Sequence, residues 1–471
     1  MRRFSLAALI LSFAISFSGV NFVNAQTSSA PPAAQAAPST SQTAPQVPAA
    51  NPLIELLKSS NAGVRARAAR DLGKDKDISA IAALDAALTD SNDKVRREVV
   101  LALGQMHDPA AVDALIKACK DPEDNIRVLA VRSLVGYYTG NVPTPGFTGF
   151  VKKGWQRTKG HFTVDTTRID PGVVVDPKVI AALDITLKEP GSNHAAEAAA
   201  KGLGILVAQS AVADLVNAAH SSDIVLAREA LNALSKIKDK SAGPKLVDLL
   251  DSPNKDVKRD TMVTVGVLRT QEALPKLQAI FESDADQKDK EQAMQGLAYL
   301  GEKVSVPPFT KALWSEDKIL RASAAEGLAR VADPATLPEL QKAVLAEKDQ
   351  VAKLAEEFAL TALGKMDYLS AVVTDLGVRT RADVAQPYLI ELSRNPQFLT
   401  DLYPYLQSQD ANVRRRLCVV LMYSGDQSSL DQLDRLSHDP DGNVAAEAIR
   451  AKEAIRARLA AAPAPSSGAG H

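Results

Sequence analysis

The chain is poor in the residues that most often carry chemistry. It has two cysteines, Cys119 and Cys418, and six histidines: His107, His161, His194, His220, His438 and His471. No pair among them has the spacing of zinc ligands. There is no Gly-x-Ser-x-Gly elbow and no Gly-rich phosphate loop, so the usual sequence signatures of a hydrolase or a nucleotide site are missing. Asp284, Asp286 and Asp289 superficially resemble a calcium loop. They lack its central Gly and terminal Glu, and read instead as a solvated turn. His161 beside Asp165 is the one conceivable acid–base pair, and it has neither a nucleophile nor a metal beside it. The formal net charge is −1, which excludes a global basic field for nucleic acid. Aromatics are 4% of residues, so the 46% apolar content rests mainly on Ala, Leu and Val, a mixture suited to slim, closely packed helices.

Long apolar runs are also absent beyond the first residues. There, Arg2 and Arg3 precede an apolar stretch from Leu6 to Phe17, and Val23-Asn24-Ala25 forms a small-residue cleavage site. Residues 1–25 therefore read as a secretory signal peptide with Gln26 as the mature start, which predicts an exported protein, periplasmic or extracellular. An uncleaved anchor is the alternative; Ser12, Ser16 and Ser18 interrupt the run and make it short for a span. Residues 26–50 are, apart from Val47, Ala, Pro, Ser, Thr and Gln without periodicity and read as a disordered linker. The tail 461–471 has a similar composition. Cys119 and Cys418 fall far apart in the repeating body, so they read as two buried thiols rather than a bridge.

What is present is a recurring tract, Val-Arg-x-x-Ala-x-x-x-Leu-Gly. It occurs as Val64-Arg65…Ala68…Leu72-Gly73, as Val95-Arg96…Val99…Leu103-Gly104, and as Ile126-Arg127…Ala130…Leu134, with a step of 31 residues. Such a period marks a stacked-repeat solenoid. Further copies lie at Ala195…Leu203-Gly204, Leu226…Leu234-Ser235, Val257…Val265-Gly266, Leu300-Gly301, Leu320…Leu328-Ala329, Leu363-Gly364, Val413…Leu421 and Val444…Ala448, for about eleven units. Positions i, i+4 and i+8 line one helix face. The slot after Leu is Gly, Ser or Ala in most copies, so it demands smallness more than a positive φ. Each tract helix is preceded by another with apolar residues at helical spacing, such as Ile81, Leu84 and Leu88, Val112, Leu115 and Ile116, or Leu246, Leu249 and Leu250. Asp90, Asp121 and Asp439 stand five residues before the tract and are expected to cap its helix. Asp90 and Asp121 are also placed to meet an Arg of an adjoining unit. Arg65, Arg96, Arg127, Arg321 and Arg414 then read as a structural Asp–Arg ladder in preference to an anion-binding stripe.

The tract resembles the HEAT-repeat family, including bacterial proteins grouped with phycobilisome-lyase HEAT-like repeats, over roughly residues 52–458. The resemblance implies an all-α solenoid, a right-handed superhelix whose second helices line a concave, partner-binding face. It implies an interaction scaffold and says little about activity; the lack of catalytic and cofactor motifs in the sequence gives the expectation of no catalytic activity and no cofactor. Bilin lyases with such repeats work in the cytoplasm, and the export signal argues against that role here.

Two stretches within the solenoid at 51–460 break register. The insertion 137–176 interleaves Tyr137, Tyr138, Phe147, Phe150, Trp155 and Phe162 with Lys152, Lys153, Arg157, Lys159 and His161. Gly and Pro exclude a long helix there. Short strands at Phe162–Val164 and Val173–Val175 are the expected elements. Phe150, Lys152, Lys153, Trp155, Arg157, Lys159 and His161 form a candidate contact site for a protein partner or an anionic envelope polymer; a flap covering adjoining helices is the other reading. The second break, 366–396, reads as a degenerate repeat packed with aromatics, among them Tyr388, with Phe398, Tyr403 and Tyr405 following. The expected function is an exported, monomeric protein-binding scaffold, the alternatives being a lyase-like or accessory role using the groove and binding of the polymer.

Overall fold

The computed structural model describes residues 51–140, 157–158, 161–162, 167–189 and 193–461. The stretches expected to be a signal peptide and a linker, the residues beyond Ala461 and most of the insertion lie outside these residues. Ala461 itself ends a helix rather than opening the tail.

The described chain is an all-α solenoid of helix pairs. Its second helices, numbered here in order, are α1 (Ala62–Asp75), α2 (Asp93–Met106), α3 (Asp124–Thr139), α4 (Asn193–Ile205), α5 (Ile224–Ile237) and α6 (Lys255–Val267). There follow α7 (Gln287–Leu300), α8 (Lys318–Val331), α9 (Gln350–Ala362), α10 (Ala382–Leu392), α11 (Ala411–Ser424) and α12 (Gly442–Ala461). Twelve second helices thus stand where the tract alone marks about eleven units. The additional one is α10, inside the stretch read as a degenerate repeat; Pro387 lies within it and its partner is the short helix Leu369–Thr374. Each second helix packs on the next along the chain, and α3 packs directly on α4 although the insertion separates them in sequence. One continuous apolar core runs from Leu57 to Ile455.

The small slot works as a contact between second helices. Gly73 lies against Ala102, where an added Cβ would sit 2.6 Å from the Ala102 Cα. At the crossing of α6 and α7, a Cβ on Gly266 would come within 2.4 Å of the Gly296 carbonyl oxygen. Neither glycine has a positive φ, so smallness governs the slot. Two expected copies are misplaced. Gly301 and Gly364 have φ of +67° and +87° and follow the helices, while Leu297-Ala298 and Leu360-Thr361 fill the buried positions. There the Gly serves the helix stop rather than the helix crossing.

Helix ends follow simple chemistry. Asn61, Asn92, Asp223, Asn254, Asp317 and Asp349 cap second helices by accepting from their first backbone N–H groups. Asp90, Asp121 and Asp439 do not cap as expected. Each lies two residues ahead of the N-cap, and Asp90 accepts from the Asn92 N–H while Asp439 accepts from that of Asp441. At the other end, Lys76, His107, Lys238 and Ala332 hold left-handed φ of 52–62° as the residue that closes a second helix. In the next turn Asp77, Asp108, Asp239 and Asp333 cap the 3₁₀ segments that lead into first helices. The first helix expected around Leu246 is itself a 3₁₀ run, Lys240–Asp251, with Pro244 inside it.

Of the insertion, Arg157–Thr158 and His161–Phe162 pair as a two-stranded antiparallel ladder, with Arg157 opposite Phe162. This places the expected strand near Phe162. Val173–Val175 is not a strand; it belongs to an irregular strap, Thr167–Asp176, that leads into the helix Pro177–Lys188.

Candidate functional site

The Asp–Arg ladder is structural. Arg65 donates to both carboxylate oxygens of Asp90 at 2.6 and 2.8 Å, Arg96 to Asp121 at 2.8 and 3.1 Å, and Arg414 to Asp439 at 2.8 Å twice. Arg321 makes the same fork with Glu347 at 2.5 and 2.8 Å. In each case the remaining guanidinium nitrogen donates to a carbonyl of its own unit: Ser59, Asp90, Ser315 or Ser408. A bidentate fork from one repeat to the next fixes both spacing and rotation. The bond from Arg65 holds the Asp90 carboxyl below its ordinary range, and that from Arg414 does the same for Asp439. Arg127 departs from the ladder. It donates to the Asp121 and Pro122 carbonyls and to Asp124 of its own unit.

A different arrangement fills the side on which the second helices face one another. Arg330, in the last turn of α8, forks onto Glu391 of α10 at 3.0 and 3.1 Å and lies 4.6 Å over the Tyr299 ring of α7. The Tyr388 hydroxyl donates to Glu326 at 2.5 Å, and its ring stacks on Phe358 at 4.2 Å. Burial raises both the Tyr299 and the Tyr388 hydroxyls. Burial would also raise the Glu391 carboxyl, but Arg330 outweighs it and holds that group below its usual range. These contacts join residues about sixty positions apart, so this is the inner face of the solenoid. Tyr388 is buried in the core, and Phe398, Tyr403 and Tyr405 pack against that core, as expected of a repeat packed with aromatics. Tyr388 serves the inner face, while the Tyr403 hydroxyl meets Ser428 and Ser429 in the next first helix.

The strap crosses this inner face. The Ile169 N–H donates to the Ile205 carbonyl at the end of α4, and Arg168 donates to the Lys236 carbonyl at the end of α5. The Arg168 guanidinium also sits 5.8 Å from the Tyr423 ring centroid in α11. Asp170 takes a fork from Arg450 of α12 at 2.5 and 2.6 Å. Gly172, with φ +89°, lies so close to Ala457 that a Cβ would approach within 2.5 Å. Only Gly meets both the φ and the approach. At its far end the strap is tied back where the Asp176 N–H donates to the Tyr138 hydroxyl at 3.1 Å. The limb of the insertion that is described is therefore a structural clasp. It still leaves a cavity of about 540 Å³ beside it, walled by Ile169, Val173, Ile180, Leu206 and Val207, with Arg168 and Tyr423 on its lining.

Of the candidate contact residues, Arg157 and His161 lie in the two-stranded ladder, on neighbouring rather than opposed positions. Phe150, Lys152, Lys153, Trp155 and Lys159 lie outside the described residues, as does Asp165. Around the strap the structure gathers exposed cations that no motif had singled out: Lys238 and Arg269, just past α5 and α6, and Arg394, just past α10. Their signal in the sequence was weak. Lys238 and Arg269 share a repeat position, 31 residues apart, in a turn otherwise read as a connector. Elsewhere Asp286 caps α7 and pairs with Lys255 and Arg259, which gives the former calcium-like triplet an ordinary structural role. Cys119 and Cys418 are both buried free thiols, pushed up to about 12 by burial.

A family model described as HEAT repeats matches residues 50–135, 181–264 and 274–368, more than half of the chain. No curated protein matches the chain in sequence. Among solved structures, an engineered protein is 18% identical with a TM-score of 0.38, covering 86% of this chain and 98% of its own. The complex of CpcE and CpcF of phycocyanin lyase from Nostoc is 20% identical with a TM-score of 0.33, covering 62% and 94%. YibA of E. coli is 17% identical with a TM-score of 0.38, covering 65% and 97%. The family match stands on the same segments that carry the tract and the stacked second helices: the chain belongs to the HEAT-repeat family.

Proposed function

We propose that this protein is an exported, non-catalytic scaffold that holds a protein partner against the inner face of its solenoid, together with the 137–176 insertion. The observation that carries the reading is the contrast between spent and unspent charge. Four ladder arginines are consumed in repeat-to-repeat forks, whereas Lys238, Arg269 and Arg394 are exposed, and Lys238 follows the end of α5 that Arg168 of the cavity lining reaches. Export rests on the Arg2–Ala25 leader. Affinity capture by the chain from Gln26 onward, from its own envelope fraction at low and high salt, tests the proposal. A partner released by salt supports it. Recovery of a polymer or of a small molecule in place of a protein overturns it.

The cavity beside the strap also favours a second reading, an accessory role with a small molecule held there. The titratable groups on its lining are Arg168, Asp170 and Tyr423, and Asp170 is already forked by Arg450. That set suits holding a ligand better than transferring its protons.

A further inference from the structure

The inner face gathers more cations than acids at one place. Arg168, Lys238, Arg269, Arg330 and Arg394 surround two carboxylates, Glu326 and Glu391. Both acids are committed: Glu391 to the fork from Arg330, and Glu326 to the Tyr388 hydroxyl and Arg330. Lys238, Arg269 and Arg394 are exposed, and their side chains make no hydrogen bond or ion pair among the described residues. Nearby helix C-termini favour a cation by roughly 0.3–1 kcal/mol each, which explains why such charges are tolerated here. It does not explain their lack of bonds, since the last carbonyls of α5 are taken by others: Lys236 by Arg168 and Ile237 by Gln209. The crowding has a measurable sign. Desolvation first, then repulsion from Arg168 and Arg394, pushes the Lys238 ammonium down to about 8.

The cationic rim borders the apolar cavity, because Arg168 and Gln209 line it and reach the end of α5 that carries Lys238. A ligand that satisfies both parts needs an apolar group for the cavity and several anionic groups for the rim. A phosphate or nucleic acid would leave the cavity unfilled. A fatty acid would carry a single charge to a rim of several cations. We propose that the strap, the cavity and the rim of Lys238, Arg269 and Arg394 form a binding site for an acidic peptide segment, one apolar side chain flanked by Asp or Glu. This rests on the scaffold reading and names the partner's chemistry.

The test uses the chain from Gln26 to His471 and a fluorescein-labelled octapeptide, Asp-Glu-Leu-Phe-Glu-Asp-Leu-Glu, followed by anisotropy. Saturable binding is expected at low salt and is lost when salt shortens the screening length to a few ångströms. The double variant Lys238→Glu/Arg394→Glu should weaken it at least about 10-fold, a difference of roughly 1.4 kcal/mol. Lys120→Glu, an exposed control on the outer side, should leave it unchanged. Calorimetry at pH 8 in buffers of different ionisation enthalpy should show proton uptake on binding, as Lys238 regains its charge beside the carboxylates. Absence of saturable binding overturns the proposal. So does equal binding of a Lys-for-Asp/Glu peptide, or unchanged affinity in the double variant. Inorganic polyphosphate that binds more tightly, with the double variant weakening it, overturns it in favour of a polymer ligand. Partner capture that survives in the double variant sinks this proposal and leaves the scaffold reading standing.

Discussion

Arg96 and Arg394 are the same residue type in the same solenoid, and they do opposite things. Arg96 is nearly buried, forks onto Asp121 of the next repeat and donates backward to the Asp90 carbonyl. Arg394 is exposed on the inner side, and its guanidinium bonds to nothing among the described residues. The ladder shows how a repeat protein spends charge on its own register. The inner rim shows charge left over where the register turns toward the strap. The difference is one of geometry. Ladder arginines have an acid about 25 residues later, at a matching place in the next unit. The rim cations sit past the ends of α5, α6 and α10, and their side chains form no ion pair among the described residues.

The comparison can be broken most directly by removing one partner of each kind. Arg96→Ala leaves Asp121 buried without its counter-charge and should cost about 3–5 kcal/mol, read as a lower denaturant midpoint. Arg394→Ala should stay within about 0.5 kcal/mol. Equal losses would erase the distinction between spent and unspent charge.

Two carboxylates beside Arg321 sharpen it next. Arg321 holds Glu347 below its ordinary range against the opposing effect of burial, whereas burial and repulsion from Glu347 push Glu356 up to about 8. Both Glu356 oxygens are buried without a hydrogen-bond partner among the described residues. Its folded value lies above the ordinary 4.5, so the folded state binds the proton more tightly. Wild-type stability should therefore fall as pH rises from about 4.5 through about 8. Glu356→Gln should remove that slope, gaining on the order of 2 kcal/mol at the alkaline end. Parallel pH profiles for the two proteins in chemical denaturation would refute the assignment.

A smaller effect separates two lysines that close helices with left-handed φ. Lys76→Gly and Lys238→Gly should each stabilise by roughly 0.5–1 kcal/mol, since Gly meets no Cβ penalty there. Only the second should weaken the acidic octapeptide. The smallest change belongs to the clasp. Asp170→Ala removes a half-exposed fork and should cost under about 1 kcal/mol of global stability, but hydrogen exchange in α12 should accelerate. Unchanged exchange there would mean that the clasp does not hold the C-terminal helix.

The sequence announced the stack because its contacts are local in register: Ala130 and Leu134 recur where a helix face must be thin. It announced the ladder because Asp90 and Asp121 recur at a fixed offset from Arg. It misled at Gly301 and Gly364, where a helix stop imitates the packing slot, and at Asp90, whose place beside the cap resembles the cap itself. The inner site was illegible. Arg330 and Glu391, or Asp170 and Arg450, meet through the curvature of the whole stack, and no period of 31 residues encodes a meeting 280 positions apart.

The Asp170–Arg450 fork changes how assembly of the stack can be completed. Repeats added one after another behave like links in series, and any neighbouring pair can order without the rest. A bond across 280 positions is a parallel connection. It closes only after every intervening repeat has taken its rotation, since an error in one link moves Arg450 away from the strap. The clasp thus acts as a gauge of the length and pitch of everything between its two residues. Loss or gain of a single repeat would leave each remaining contact intact and still fail that measurement.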